Sequence, residues 1–325
     1  MPAGPVGNDS GMTDHHSHPG KPVVVGVDGS EPSLAAADLA AEEAAVRKLP
    51  LEIVYGLVLP VMARPAMMPP DLPPIAAELD ETPVREHAAQ VLSDAAARVR
   101  AGHPDLPMVT RLRDGFPAWV LTDASRQATL VVVGHRGVGG FTELLVGSVA
   151  TQLANHAGCP VIVVRGQATA GAPVVVGVDG SEGSRRAAEF ALATAAYHQA
   201  PLVSLYAWPL DAAWPPALAQ AGYPPPEAPD PVTETLRGLT DQHPQVAVQP
   251  EVHEHVPAHE ALVAASKQAR LVVVGARGRG GFAGLLLGSV SQALIHHAHC
   301  PVAVVGPEAE PEPELPADPE QAAGS

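Results

Sequence analysis

Cysteine and basic residues are scarce in this 325-residue chain, and each scarcity argues against a class of protein. The two cysteines, Cys159 and Cys300, are too few for a disulfide framework, so we interpret them as packing residues in a reducing compartment. Lysine and arginine number 19 against 35 acidic residues, a balance that repels nucleic acid backbones and anionic lipid headgroups. We therefore expect neither nucleic acid nor a membrane as a partner.

Long apolar runs are missing as well. No stretch approaches the roughly 20 apolar residues that a membrane helix needs. The first 20 residues are polar and rich in histidine, without the apolar segment of a secretion signal. We therefore expect the protein to be cytoplasmic.

The motifs of three large classes of nucleotide-using enzymes are also absent. The chain has no GxxxxGK[ST] loop and no protein-kinase set of lysine and aspartate. GVDGS stands where a dinucleotide-binding GxGxxG would follow the first apolar run. P-loop ATPases, kinases and dinucleotide-dependent oxidoreductases are therefore disfavoured.

What the chain does contain is an internal duplication. PVVVGVDGSEPS (Pro22–Ser33) nearly repeats as PVVVGVDGSEGS (Pro173–Ser184), 151 residues later. Leu130–Val164 matches Leu271–Val305 at a separation of 141 residues, so the second copy has lost ten residues in between. The loss falls in the proline-rich middle of the copies, which we expect to form mobile loops over 60–83 and 209–231.

The duplication and the composition together predict the domain organisation. Polar or acidic tails over 1–21 and 307–325 are expected to be disordered. Between them we predict a first domain over 22–166, a linker over 167–172 and a second domain over 173–306. After the proline-rich middle, a long helix is predicted over Pro83–Ala101 in the first copy and a shorter one over Val232–Asp241 in the second.

Within each copy, apolar β-branched runs alternate with alanine-rich stretches, which is the pattern of βαβ units. Unbroken apolar runs are typical of strands buried on both faces, so each copy is predicted to be a five-stranded, mainly parallel, doubly wound α/β domain. The first-copy strands are predicted over Val23–Val27, Leu51–Gly56, Met108–Arg113, Leu130–Gly134 and Val161–Val164. Helices are predicted over Ser33–Lys48 with Ser33 as the cap, Ala118–Gln127 and Ser148–Ala157.

Two unusual loops follow strand ends in each copy. The first strand runs into Asp28-Gly29-Ser30 and the fourth into a glycine-rich loop over 134–140; the second copy has Asp179-Gly180-Ser181 and a loop over 275–281. Ligands of open parallel sheets bind outside the carboxyl ends of the strands, where the strand order reverses. Both loops of a copy are therefore expected to face one crevice.

The spacing of the glycines predicts that the crevice binds phosphate groups. Glycine lets backbone N–H groups close around an anion. Each GxxG is followed by nine residues and then by Gly147-Ser148 or Gly288-Ser289 at a helix start, where unpaired N–H groups and a partial positive charge attract anions. A single GxxG is often only a turn, but here the full spacing occurs in both copies. The repetition favours phosphate binding over a simple turn.

The chain therefore resembles a tandem universal stress protein, whose ATP-binding members carry GxxG, nine residues and G[ST] after strand four. The resemblance covers Pro22–Val164 and Pro173–Val305. It implies a Rossmann-like fold of the adenine nucleotide alpha hydrolase type. It also implies ATP as the ligand, with or without Mg2+, and a regulatory role in a stress response with an unidentified protein partner. It also implies pairing of Val161–Val164 with Val302–Val305 within one chain, and a homodimer.

The resemblance assigns roles to individual residues. Asp28 and Asp179 are expected on the ribose or phosphate side, and backbone at Gly56 and Ala207 beside adenine. No catalytic residue and no metal ligand is predicted. The full ligand-binding set is Gly26, Asp28, Gly56, Gly134, Arg136, Gly137, Gly139, Gly140, Gly147, Ser148 and Val149 in the first copy, and Gly177, Asp179, Ala207, Gly275, Arg277, Gly278, Gly280, Gly281, Gly288, Ser289 and Val290 in the second.

Alternatives remain for several of these features. Asp28 and Asp179 are also typical turn formers in an Asp-Gly pair, and Arg136 and Arg277 are equally compatible with solvated surface positions. The histidines complete no tetrahedral metal set in the sequence and are interpreted as surface or helix-end residues. Besides a nucleotide-binding regulator, a slow ATP hydrolase using the same crevices and a nucleotide-free structural protein stay open.

Overall fold

The computed structural model describes residues 20–59, 80–138, 147–208, 231–278 and 287–309. Most of the two predicted proline-rich loops and of the two predicted tails therefore lies outside the described residues. The elements of the first half are β1 (Val23–Gly26), α1 (Glu31–Arg47), β2 (Leu51–Leu57), α2 (Thr82–Gly102), β3 (Met108–Asp114), α3 (Pro117–Ser125), β4 (Leu130–Gly134), α4 (Ser148–His156) and β5 (Val161–Val164).

The second half repeats this order. Its elements are β6 (Val174–Gly177), α5 (Glu182–Tyr197), β7 (Leu202–Trp208), α6 (Pro231–Leu236), β8 (Val248–Glu254), α7 (Ala258–Ala265), β9 (Leu271–Gly275), α8 (Ser289–His297) and β10 (Val302–Val305). Short 3-10 turns follow α6 and α7, at Thr240–Gln242 and Ser266–Gln268. None of the helices within the described ranges has the length and apolar character to cross a membrane.

All ten strands join one sheet in the order β3-β2-β1-β4-β5-β10-β9-β6-β7-β8. Neighbours within each half are parallel, whereas β5 and β10 pair antiparallel with Ile162 opposite Ala303. The pairing of the two last strands that the resemblance implies is thus present in the structure. The α/β fold class is confirmed, with the two five-stranded halves continuous across this junction.

The short apolar strands lie between two layers of helices. Val23 and Val25 are buried in the core on one face of the sheet, whereas Val24 is buried in the core on the other face. This two-sided burial explains why the strands read as unbroken runs of valine rather than as an alternating pattern.

Two details of the predicted helices are wrong. Helix α1 begins at Glu31, and its cap is Ser30, whose side chain accepts a hydrogen bond from the Ser33 N–H at 3.4 Å. Proline lacks an N–H to be satisfied and is therefore favourable in a first turn, so Pro32 lies inside the helix and Ser33 cannot be the cap. The helix predicted over Val232–Asp241 ends at Leu236, because Gly238 adopts a left-handed backbone with a φ of 76°.

The junction between the halves contains buried polar contacts in addition to the paired strands. Glu43 of α1 forms an ion pair with Arg47 and lies 2.9 Å from Nε2 of His198 in the second half. Arg47 also donates a hydrogen bond to the hydroxyl of Thr194 at 3.1 Å. The two halves are therefore joined by specific side-chain partners on α1 and at the C-terminal end of α5.

Candidate functional site

The loops that carry the predicted ligand-binding residues meet at one edge of the sheet in each half. Strands β1 and β4 are parallel neighbours, with Val23 opposite Leu130, and so are β6 and β9, with Val174 opposite Leu271. Because the strand order reverses between β1 and β4 and between β6 and β9, these are the points where a doubly wound sheet opens a crevice.

In the second half this crevice is a cavity of about 370 Å³. Every predicted residue of this half that the structure describes lines it: Gly177, Asp179, Ala207, Gly275, Arg277, Gly278, Gly288, Ser289 and Val290. The remaining predictions in the glycine loops, at Gly139, Gly140, Gly280 and Gly281, lie outside the described residues. The structure therefore brings the predicted second-half residues together around one space.

Part of the cavity wall was not predicted from the sequence. It is apolar and comes from strand and helix residues as well as from the loop next to α8: Val178, Leu205, Ala258, Leu262, Val274 and Leu287, with the hydroxyls of Ser184 and Ser291 beside them. Such residues look like ordinary core in a sequence, and Leu205 and Leu262 are indeed buried. The alternation along β7 was the available signal, because it places Leu205 on the same face as Ala207.

An aspartate links the two loops in each half. In the second half, Oδ1 of Asp179 accepts a hydrogen bond from the Ser181 N–H at 2.9 Å. A Cβ atom added to Gly278 would collide with Oδ2 of the same carboxylate. Glycine at this position therefore allows the loop after β9 to lie directly against the loop after β6.

The first half shows the same link more completely. Oδ1 of Asp28 accepts hydrogen bonds from the N–H and the hydroxyl of Ser30 at 3.0 and 2.6 Å, and Oδ2 accepts one from the Val138 N–H at 2.8 Å. A Cβ atom on Gly137 would collide with Oδ2. The aspartate thus forms the local turn and also ties that turn to the glycine loop after β4.

Several other predicted glycines are required by close packing. A Cβ atom on Gly134 would lie 2.7 Å from the backbone of Pro32, and one on Gly275 would lie 2.8 Å from the backbone of Gly183. These contacts let the first turn of α1 or α5 approach the end of β4 or β9.

The same holds at two further strand ends. Added Cβ atoms on Gly26 and Gly177 would meet the side chains of Leu121 and Leu262, at 2.5 and 2.8 Å. A Cβ atom on Gly56 would lie 2.7 Å from Cα of Pro117, at the start of α3. Ala207 at the matching place in the second half carries a Cβ and lines the cavity.

The helix starts after the glycine loops are held close to those loops. The Gly147 N–H donates to the carbonyl of His135 and the Gly288 N–H donates to the carbonyl of Ala276, both at 2.8 Å. Neither Gly147 nor Gly288 supplies a side-chain cap to its helix. The first turns of α4 (Ser148 and Val149) and α8 (Ser289 and Val290) therefore present backbone N–H groups and the positive end of a helix dipole.

The two arginines inside the glycine loops differ in their surroundings. Arg277 lines the second-half cavity. Arg136 is partly buried, and its Nε has no hydrogen-bond partner among the described residues. Burial of Arg165 and, to a smaller extent, the charge of Arg136 lower the pKa of Arg165. Burial, followed by the charges of Arg165 and Arg136, also lowers the pKa of His135, despite the contact of its Nδ1 with the Val164 carbonyl at 3.0 Å.

The cysteines lie in the core at the entry to the last strand of each half. Cys159 and Cys300 are free and buried. Burial raises the pKa of both thiols to about 12, which disfavours the reactive thiolate. Within the described part of the chain, no group of three or more histidine, cysteine or acidic side chains is arranged to hold a metal ion.

Comparison with known proteins identifies the family. The model of the universal stress protein family matches residues 20–165 and 172–306. A universal stress protein of Mycobacterium tuberculosis strain H37Rv is 35% identical over 299 residues, covering 87% of this chain and 95% of that protein. One from Mycolicibacterium smegmatis is 36% identical over 293 residues, covering 88% and 97%.

A solved structure of a universal stress protein from Archaeoglobus fulgidus has the same fold. It matches with a TM-score of 0.63 at 19% identity, over 89% of this chain and 99% of that chain. The duplicated sequence, the ten-stranded sheet and these matches lead to one conclusion. The chain belongs to the universal stress protein family.

Proposed function

We propose that the chain binds ATP in the crevice of each half and acts as a nucleotide-dependent regulator of a stress response. The observation that carries this proposal is the second-half cavity, in which two glycine loops and an uncapped helix start face an apolar wall. Its volume of about 370 Å³ lies within the range of small-molecule sites, which is roughly 300 to 1,000 Å³. The homodimer and the cytoplasmic location remain predictions.

The two ends of the cavity suit the two ends of a nucleotide. The backbone N–H of Gly278 and the N–H groups of Ser289 and Val290 provide donors for phosphate oxygens. The apolar side chains of Leu205 and Leu262 provide a surface for a purine base. A Mg2+ ion bound with ATP takes its oxygen ligands largely from the phosphates and water, so it needs no dedicated protein cage.

Local electrostatics favour an anion despite the net charge of −16. The dipole of α8 points its positive end at the cavity, and Arg277 adds a full positive charge to the lining. Asp179 is the one carboxylate among the described lining residues, and its Oδ1 already accepts the Ser181 N–H. The phosphate groups of ATP would therefore be held by the helix dipole and by Arg277. A regulatory role requires only this binding and no hydrolysis of the ATP.

The construction of the site supports the regulatory role. ATP would contact the loop over 276–278 and the start of α8 at the same time, and so would order one surface of the protein for a partner to recognise. Hydrogen exchange of these segments should slow when ATP is bound, because their N–H groups become hydrogen-bonded to phosphate. Equal exchange with and without ATP would overturn this switch.

The test of the ligand is the nucleotide content of the purified chain. Protein purified without added ligand is denatured, and the released nucleotide is identified by chromatography and quantified per chain. ATP approaching two molecules per chain supports the proposal. ADP alone would favour the slow hydrolase, and the absence of nucleotide together with no measurable ATP binding would favour the nucleotide-free structural protein.

A further inference from the structure

The second-half site contains a side-chain hydrogen bond that has no counterpart at the matching position of the first half. Oγ of Ser291, in the first turn of α8, lies 3.1 Å from the carbonyl oxygen of Ala276 in the glycine loop after β9 and 2.9 Å from that of Gly288. The corresponding residue of α4 is Ala150, which has no hydroxyl to donate. The two halves therefore differ in how their glycine loop is attached to the following helix.

The position of Ser291 makes this difference relevant to the ligand site. Its side chain lines the cavity, and the residue is only 2% exposed. Its proton is shared between two carbonyls, one in the loop and one at the helix start. The Ala276 carbonyl also accepts the Gly288 N–H at 2.8 Å, so the loop and the helix are joined by two donors at one oxygen.

We propose that Ser291 is a positioning residue that preorganises the second nucleotide site and makes it the tighter of the two. This inference rests on the proposed ATP binding. The loop over 276–278 and the first turn of α8 must hold their relative positions for their N–H groups to converge on one phosphate. A hydrogen bond that fixes them before binding removes part of the ordering cost of binding.

The first half has the geometry needed to accept the same hydrogen bond. A Cβ atom on Gly147 would lie 3.5 Å from the His135 carbonyl, and one on Gly288 would lie 3.3 Å from the Ala276 carbonyl. The N–H of each glycine donates to that carbonyl at the same 2.8 Å. A serine in place of Ala150 would therefore find the His135 carbonyl in the place where Ser291 finds that of Ala276.

The test measures each site separately in the full-length chain. Gly147→Val blocks the first site, so that the second site alone is titrated with ATP by calorimetry. Gly288→Val blocks the second site and leaves the first to be titrated. In the Gly147→Val background, Ser291→Ala should weaken ATP binding by about 2- to 10-fold, the range for one net hydrogen bond, and Ser291→Thr should retain the affinity. In the Gly288→Val background, Ala150→Ser should strengthen ATP binding by a similar factor.

The gain expected from Ala150→Ser separates positioning from general damage, because a merely structural role of Ser291 predicts no gain in the other half. Unchanged affinity in both Ser291→Ala and Ala150→Ser, with ATP still bound, would overturn the inference and leave the proposed function intact. No ATP binding by the unmodified chain would overturn both together. The two sites are also compared without any change at Ser291 or Ala150. Tighter ATP binding by Gly288→Val, which keeps the first site, than by Gly147→Val would contradict the inference.

Discussion

Nε2 of His198 lies 2.9 Å from Oε1 of Glu43, across the junction between the two halves of the chain. Both side chains are almost fully buried, at 5% and 3% exposed. The other carboxylate oxygen of Glu43 forms an ion pair with Arg47, which in turn stacks over the ring of Tyr197 at 4.8 Å. A charged cluster thus occupies the interface of α1 and α5.

This cluster should make the stability of the protein depend on acid. Burial alone would raise the pKa of Glu43, but the charge of Arg47 and the hydrogen bond with His198 hold it at about 2, below its ordinary value of 4.5. Because the folded pKa is depressed, the stabilisation is fully present above pH 4.5 and is lost as the pH falls from 4.5 towards 2. Chemical denaturation at a series of pH values measures this loss.

Glu43→Gln should lower the free energy of unfolding at pH 7 by about 3 kcal/mol, because it leaves the charge of Arg47 in a buried interface without its carboxylate. It should also flatten the dependence on acid between pH 4.5 and 2. Asp38→Asn is the matched control, because Asp38 lies on α1 like Glu43 but forms an exposed pair with Arg98 of α2, and it should cost less than about 1 kcal/mol. Equal losses for the two variants would contradict this account.

Gly56→Ala should destabilise the first half through overpacking. The added Cβ would lie 2.7 Å from Cα of Pro117, and backbone at the start of α3 cannot move aside as a flexible side chain can. We expect a loss of about 1 to 3 kcal/mol in denaturant unfolding. Gly102→Ala, where an added Cβ would meet no atom of the described residues within 4 Å, is the control, and a loss as large there would show that close packing against Pro117 is not the cause.

Asp28→Asn separates the two roles of this aspartate. Asparagine can keep the oxygen that accepts the Ser30 hydrogen bonds, but it presents an amide N–H towards the Val138 N–H, which then loses its acceptor. In the Gly288→Val background we expect ATP affinity to fall about 10-fold, since hydrogen bonds to charged groups are stronger than neutral ones. Asp38→Asn controls for the change in charge, and unchanged affinity in Asp28→Asn would reduce Asp28 to a turn former.

Neither cysteine should react in the folded protein. With the pKa of Cys159 and Cys300 raised to about 12, the thiolate fraction at pH 8 is on the order of 10⁻⁴, and burial blocks access to the sulfur. Mass spectrometry after treatment with iodoacetamide should show no modification of the native chain and two modifications after unfolding in denaturant. Rapid labelling of one thiol in native protein would show that its strand entry opens.

The sequence predicted the central strands β1, β4 and β5 well because each is a buried valine-rich run with few alternatives. The edge strand β3 was also predicted, although it is mostly exposed. The sequence did not predict the cap of α1 or the end of α6, because both depend on the local backbone conformations of Ser30 and Gly238. The antiparallel pairing of β5 with β10 followed from the family resemblance and not from the strand sequences. The contact between Glu43 and His198 joins residues 155 positions apart and had no signal in a single sequence.

The site was predictable only where its residues form a local sequence signal. Loop glycines that follow a strand are visible in a sequence, and those of the second half do surround one cavity. The close packing that requires glycine at Gly56 and Gly134 was not visible, because the neighbouring backbones come from distant parts of the chain. The apolar wall at Leu205 and Leu262 was hidden among core residues of the same type.

The most direct test of the central claim is an ATP titration by calorimetry of the unmodified chain and of Gly147→Val and Gly288→Val. A valine at either position places branched carbons at the helix start where a phosphate would bind. The account predicts two ATP molecules per unmodified chain and one in each variant. No ATP bound by the unmodified chain, or two still bound by both variants, would contradict it.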